Sequence, residues 1–442
     1  MFNIDEIKLL CDKDFGPFYL SPKSTYEYIL YGDIDYFEIL IEEPLHDWIG
    51  KLKYVEYKID EEDLIVYFRD ELFELHVKTL KDPINVYLDG FDFNIDGVAI
   101  RVSDETKHKT FACYQEKYCA SWVDPNNLRV SIKDGLIKPI HLDIISTCGD
   151  KIFKMLSKMV DLKLDLDKDT IDALKLNSYH ISKDVKPYFL NILNYRNSYH
   201  YINLLDELGL LSQAFPLVTS MKNRSIWYEG LDHLKTFENL ILRSDFFSDG
   251  IYRILQETLM YDFDCGLNKL QMLKISILFY RAHEVMLLKY NSPERYEQPY
   301  TQFCDQFGFK EEACRYYSLI IKCSQKIDFS LNHSLSLKEQ YDFFESYEDY
   351  TIDVLLLLLI QGNQITSEVE TFEYLVQIYQ SKYLEIQSIN SEITTMDIER
   401  HDLSDVNLTL LIEEVKEKIF FGNLRYNRKS IIGYLQKLIE QS

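Results

Sequence analysis

Two hydrophobic rhythms divide the chain. Through about residue 145, apolar positions come in short runs suited to strands, at 33–41, 53–58, 64–68, 73–77, 84–88 and 97–102. One helix is expected among them, because Ser21-Pro22 puts proline at a first helical position and 23–31 can follow. From about Thr147 the spacing becomes helical, starting with Ile152, Met155, Leu156 and Met159. Amphipathic stretches then cover 168–176, 184–194, 198–211, 231–242, 249–260, 267–289, 310–324, 337–348, 351–361, 369–384, 409–419 and 428–440. Almost nothing after 150 reads as strand. The pattern predicts a head mixing helix and strand, then an all-helical body and tail. The most polar breaks fall at 291–298 and 388–405, and no exact internal repeat is present.

A chain of 442 residues is too long for one typical core, so two to four domains are expected. Its 46% hydrophobic content excludes a disordered chain. The net charge is −24, with −14 in residues 1–150, zero in 151–300 and −10 in 301–442. Phosphate contacts need Lys and Arg, so this balance opposes non-specific nucleic-acid binding and no DNA partner is expected. An RNA would need a local basic surface, and the neutral middle is the large region able to offer one. The eight cysteines form no Cys-x-x-Cys pair. They read as buried, reduced thiols of a cytoplasmic protein, without a zinc framework. The start, Met1-Phe2-Asn3-Ile4-Asp5-Glu6, lacks the basic and apolar regions of a signal peptide. The most apolar run, 354–360, is far short of the roughly 20 residues a membrane span needs, so no membrane partner is expected.

The candidate chemistry lies in Tyr31-Gly32-Asp33-Ile34-Asp35-Tyr36-Phe37. On a strand, Asp33 and Asp35 project from the same face. Two carboxylates so spaced can hold Mg²⁺, which prefers oxygen ligands and brings phosphates with it. The same pattern also describes two solvated acids at a strand edge. Glu74, on a later strand, is a candidate third acid near the metal or another solvated carboxylate.

The order of segments resembles the class II tRNA nucleotidyltransferase (CCA-adding) and bacterial poly(A) polymerase family, in particular members with an HD-type domain. Gly32-Asp33-Ile34-Asp35 resembles the family's Asp-x-Asp metal motif. Phe15-Gly16-Pro17-Phe18 stands where a Gly-Gly-x-Val-Arg-Asp segment contacts the triphosphate; Gly16 is kept and the Arg and Asp are not. Phe91-Asp92-Phe93-Asn94-Ile95-Asp96 resembles R-R-D-F-T-I-N, a segment tied to ribose recognition, with Phe93, Ile95 and Val98 also readable as core. Trp122-Val123-Asp124-Pro125 resembles the connection from head to neck. Lys151, Lys154 and Lys158 lie where the neck helix is expected to carry basic residues. Asp184, Lys186 and Arg196 are the nearby candidates for base selection, or plain solvated positions. Leu205 to Pro216 resembles the L-x-x-x-G-L-L-x-x-x-F-P that closes the neck.

Trp227 to Thr236 resembles the first histidine motif of an HD domain, and Leu273 to Ala282 resembles L-K-L-A-A-L-L-H-D-I-G-K. Tyr280-Arg281 replaces the metal-binding His-Asp pair. Arg⁺ repels a cation, so no HD phosphohydrolase activity is expected. Arg425, Arg428 and Lys429 form the densest basic stretch of the tail, facing either an RNA phosphate or water.

The resemblance implies an α+β, nucleotidyltransferase-like head with a mixed sheet at 1–146. An all-α neck follows at 147–222, then a degenerate HD-like domain at 223–330 and a tail at 331–442. It implies Mg²⁺-dependent transfer from ATP or CTP to a tRNA or other RNA 3′ end. Asp33 and Asp35 would be catalytic, joined at the metal by Glu74. Gly16, Gly32, Asp92, Asn94, Lys151 and Lys154 would bind the nucleotide. The altered motifs and the acidity equally fit a repurposed, non-catalytic binding protein, or a transferase with a non-RNA acceptor.

Overall fold

The fold is described from a computed structural model, for residues 18–31, 37–50, 56–60, 63–68, 73–102, 122–263, 266–287, 298–326, 335–362, 365–387, 389 and 408–441. Gly16, Gly32, Asp33 and Asp35 lie outside the described residues. The chain forms two compact units, Met1–Ile192 with Leu204–Ala214, and Leu193–Asn203 with Phe215–Ser442.

The first unit is organised by a seven-stranded mixed sheet. Its strands are β1 (Phe18–Leu20), β2 (Phe37–Ile41), β3 (Glu56–Asp60), β4 (Asp63–Phe68), β5 (Phe73–Thr79), β6 (Ala99–Val102) and β7 (Trp122–Val123), in the spatial order β3-β4-β5-β2-β1-β6-β7. Among the described neighbouring strands of this sheet only β2 and β5 pair in parallel, with Phe37 opposite Leu75. Alternation sends Phe37, Ile39 and Ile41 to one face, where they pack with Phe18, Leu75, Val77 and Trp48 of helix α2 (Leu45–Ile49). Leu40 and Tyr19 turn to the other face and meet Ile84 and Leu88. Helix α1 (Pro22–Tyr31) starts at the proline expected to start it.

Residues 84–88, read above as a strand, are helix α3 (Ile84–Asp89). Ile-Asn-Val-Tyr-Leu fits both periods. Pro83 at the N-cap and the burial of Ile84 and Leu88, four residues apart, fit the helix. Beyond the sheet, the first unit is mostly helical around α4 (Gly149–Leu162), which buries Ile152, Met155, Leu156 and Met159.

The second unit is helical in all its described elements. Helix α5 (Ile226–Leu242) crosses α6 (Lys269–Leu278) so closely that a Cβ on Gly230 would stand 2.6 Å from the Leu278 carbonyl oxygen. The expected helix at 267–289 breaks at 279–281, and α7 (Ala282–Leu287) resumes after it. Helices α8 (Gln298–Phe307), α9 (Glu311–Lys326) and the almost wholly buried α10 (Thr351–Gln361) follow. Cys304 and Cys314 are disulfide-bonded, which corrects the reading of all cysteines as reduced thiols. The turn between α8 and α9 brings their Cα atoms to 5.5 Å, a proximity that a ten-residue separation does not announce.

Two buried ion pairs hold the second unit. Glu238 of α5 accepts from Ser198 N at 2.8 Å, Ser198 Oγ at 2.6 Å and Tyr199 N at 2.9 Å. Lys274 of α6 donates to Glu238 at 2.6 Å and to the Tyr195 carbonyl. Burial drives the Lys274 ammonium down to about 8 against the pull of Glu238. Asp353 of α10 lies 3.1 Å from Lys269, whose ammonium sits 5.5 Å from each of the Tyr261 and Tyr350 rings. Burial raises the Asp353 carboxyl to about 6, although Lys269 pulls it down.

Glu238→Ala is expected to cost about 3–5 kcal/mol in urea unfolding, because it strands a buried ammonium; Lys274→Met in that background should cost less than it does alone. The folded Asp353 holds its proton more tightly than the unfolded residue does. Its contribution therefore favours the folded state most below pH 4 and fades as pH rises through about 6. Asp353→Asn should flatten the unfolding free energy between pH 4.5 and 6.5 by an amount on the order of 1–2 kcal/mol.

Candidate functional site

The turn between β1 and α1 is tied to β2 just after the Asp-x-Asp segment. Ser21, Ser24 and Thr25 are fully buried. Ser21 N donates to the Glu38 carbonyl at 2.8 Å, Glu38 N donates to Ser24 Oγ at 2.9 Å, and Thr25 Oγ1 donates to the Leu20 carbonyl at 3.2 Å. The Glu38 carboxylate takes Lys78 Nζ at 2.7 Å. Sequence reasoning missed this cluster. Its signal is the Ser-Pro-x-Ser-Thr run at a helix start, where hydroxyls satisfy backbone groups. Glu74 is exposed on β5, on the sheet face that carries His76 and Lys78, and its carboxylate lies 3.4 Å from His76 Nε2.

The 91–97 segment is brought together with α4. Asp92 accepts from Lys151 at 2.8 Å and from Lys154 at 3.3 Å, and Asp96 takes Lys158 at 2.5 Å. The three lysines share one helix face, at spacings of three and four. Partial burial works against the Asp92 anion, but the hydrogen bonds and charges of Lys151 and Lys154 outweigh it and hold the carboxyl below its ordinary value. Asn94 is fully buried. Its side-chain amide donates to the Leu136 carbonyl at 2.9 Å and accepts from Lys138 N at 3.0 Å. The sequence placed Asp92, Asn94, Lys151 and Lys154 in one site; the structure joins the two lysines to Asp92 and gives Asn94 to the backbone of 136–138. Phe93, Ile95 and Val98 are core residues.

In the second unit, Tyr280 and Arg281 occupy the break after α6. Tyr280 OH donates to Glu229 at 2.9 Å, and Arg281 bridges Glu229 and Glu284. Burial, then the hydrogen bond to Glu229 and its charge, pushes the Tyr280 hydroxyl up to about 12. His233 packs beside Tyr280, and burial lowers its pKa. A guanidinium thus lies among the carboxylates of this region. Lys186 pairs with Asp184 at 3.6 Å, and Arg196 donates to Gln256 at 2.7 Å. Arg425, Arg428 and Lys429 are exposed.

Solved structures share this fold. A CCA-adding enzyme in its apo form superposes with a TM-score of 0.60 at 11% identity, over 96% of this chain and 90% of that one. The chain has the fold of a CCA-adding enzyme. A CCA-adding enzyme with CTP gives 0.59 at 12% identity over 96% and 91% of the two chains. The Thermotoga maritima CCA-adding enzyme complexed with tRNA gives 0.56 at 12% identity over the same shares. No family model and no curated protein matches the sequence. The class II tRNA nucleotidyltransferase-like fold, a mixed-sheet head with a largely helical remainder, is therefore retained at an identity that leaves few residues in common. Among the described residues no helix is long and apolar enough to cross a membrane.

Asn94→Ala leaves a carbonyl and an N–H of 136–138 without their partner and should cost about 2–3 kcal/mol in thermal or urea unfolding. Asp92→Asn removes only partly exposed ion pairs and should cost about 1 kcal/mol or less. Equal losses for the two variants would contradict this division between a buried bridge and a surface ion pair.

Proposed function

We propose that the protein is a Mg²⁺-dependent nucleotidyltransferase that adds a nucleotide from CTP or ATP to the 3′ end of a tRNA or another RNA. The observation that carries this reading is the extent of the fold likeness, 96% of this chain and 90% of a CCA-adding enzyme, so that head and helical parts are both included. The donor set Asp33, Asp35 and Glu74 offers only carboxylate oxygens, which suit a hard cation. Among the described residues no group of three His, Cys, Asp or Glu could hold a metal, so the assignment rests on Asp33 and Asp35. When bound, the metal would neutralise triphosphate charge and favour deprotonation of the attacking hydroxyl. The Ser21–Ser24 turn and Glu38 fix the strand that follows the two aspartates. Gly16 and Gly32 would admit the triphosphate close to the backbone. Lys151 and Lys154 would meet its charge while Asp92 orients them.

A repurposed homologue without catalysis is the second reading. The pairing of Lys151, Lys154 and Lys158 with Asp92 and Asp96 favours it, because two of the three charges of this basic row are already balanced within the chain.

The test is incorporation of labelled ATP and CTP into tRNA lacking its 3′ end, with Mg²⁺. Transfer that falls to background in Asp33→Ala and Asp35→Ala is the expected result. Folded wild-type protein that incorporates neither nucleotide would reject transfer to tRNA and favour a non-catalytic homologue or a different acceptor.

A further inference from the structure

Helices α8 and α9 form a hairpin that turns at Gly308, whose φ of +72° favours glycine. The Cys304–Cys314 bridge ties its two arms. Beside the bridge, Phe303 stacks on Tyr317 with ring centres 4.1 Å apart. Phe279 lies 5.2 Å from the Phe303 ring and 5.6 Å from the Phe307 ring, and its carbonyl accepts from Tyr317 OH at 3.4 Å. Phe279 directly precedes Tyr280 and Arg281, the residues that hold Glu229 and Glu284. Aromatic contacts thus join Phe303, the chain neighbour of Cys304, to Phe279, the chain neighbour of Tyr280. Cys304 is 2% exposed, whereas Cys314 is partly exposed on α9. An incoming thiolate needs access to the sulfur it attacks, and of the two cysteines Cys314 is the more exposed.

We propose that Cys304 and Cys314 form a reversible redox latch that fixes the α8–α9 hairpin against Phe279 and, through Phe279, the Arg281 clamp. In the reducing direction a dithiol thiolate attacks Cys314 Sγ, the S–S bond breaks, and Cys304 leaves as a thiolate that takes up a proton. The second thiol of the reductant then displaces Cys314, so two electrons pass to the protein and the reductant becomes a cyclic disulfide. In the oxidising direction the two protein thiols reduce one molecule of oxidised glutathione to two of glutathione. The hairpin then has less freedom to lose on folding.

The experiment uses the full chain, kept folded, with oxidised glutathione or dithiothreitol, followed by alkylation, trypsin and mass spectrometry. Lys310 lies between the cysteines, so the latch predicts a linked pair of peptides, 296–310 and 311–315. That pair should form with oxidised glutathione and vanish with dithiothreitol. Reduction should lower the Tm of the wild type by about 2–4 °C. Cys304→Ala and Cys314→Ser should each match the reduced wild type and ignore dithiothreitol. Failure to find the linked pair, a bridge that dithiothreitol does not open in the folded protein, or equal Tm values for the two redox states would each overturn the proposal.

Discussion

Glu238 is the charge around which the second unit is built. It is almost completely buried, and a carboxylate in that position is tolerable only if its oxygens are saturated. Two backbone N–H groups, a serine hydroxyl and the Lys274 ammonium do this together. Those donors come from the 195–199 segment and from α6, so three separate stretches of chain must be in place for α5 to be buried at all. The close crossing of α5 and α6 at Gly230 belongs to the same constraint, because it brings Lys274 within reach.

Much of this can be read from periodicity. The strand runs at 64–68, 73–77 and 97–102 and the proline-started helix at 22–31 appear where alternation and capping put them. The short run at 84–88 misleads because five residues of mixed pattern fit either period, and only Pro83 and tertiary burial decide between them. Lys274 sits within a segment whose resemblance to an HD motif is visible, yet its partner lies 36 residues away on another helix. Pairings of that kind leave no local trace. The disulfide escapes for the same reason: helix–turn–helix geometry, not cysteine spacing, brings the sulfurs together.

In the candidate site, residue types are legible and partners are not. Lysines at 151, 154 and 158 announce a basic helix face. Their pairing with Asp92 and Asp96 depends on how the 91–97 turn meets α4. Asn94 looks like a ligand-binding amide in sequence, but its burial turns it into a bridge between backbone segments. The uneven charge of the chain is thus partly answered from within, which leaves less positive surface for phosphate than the count of lysines suggests.

The parallel pairing of β2 with β5 carries a kinetic consequence. The two strands are joined through β3 and β4, and β1, on the other side of β2, pairs with β6, so the sheet is complete only after contacts between Phe18 and Val102 become possible. Such long-range closure loses chain entropy before any packing compensates it, and high contact order slows folding. During synthesis the N-terminal sheet therefore has to wait for much of its own sequence to emerge. The Cys304–Cys314 bridge, by contrast, spans only ten residues, so closing its loop loses little chain entropy.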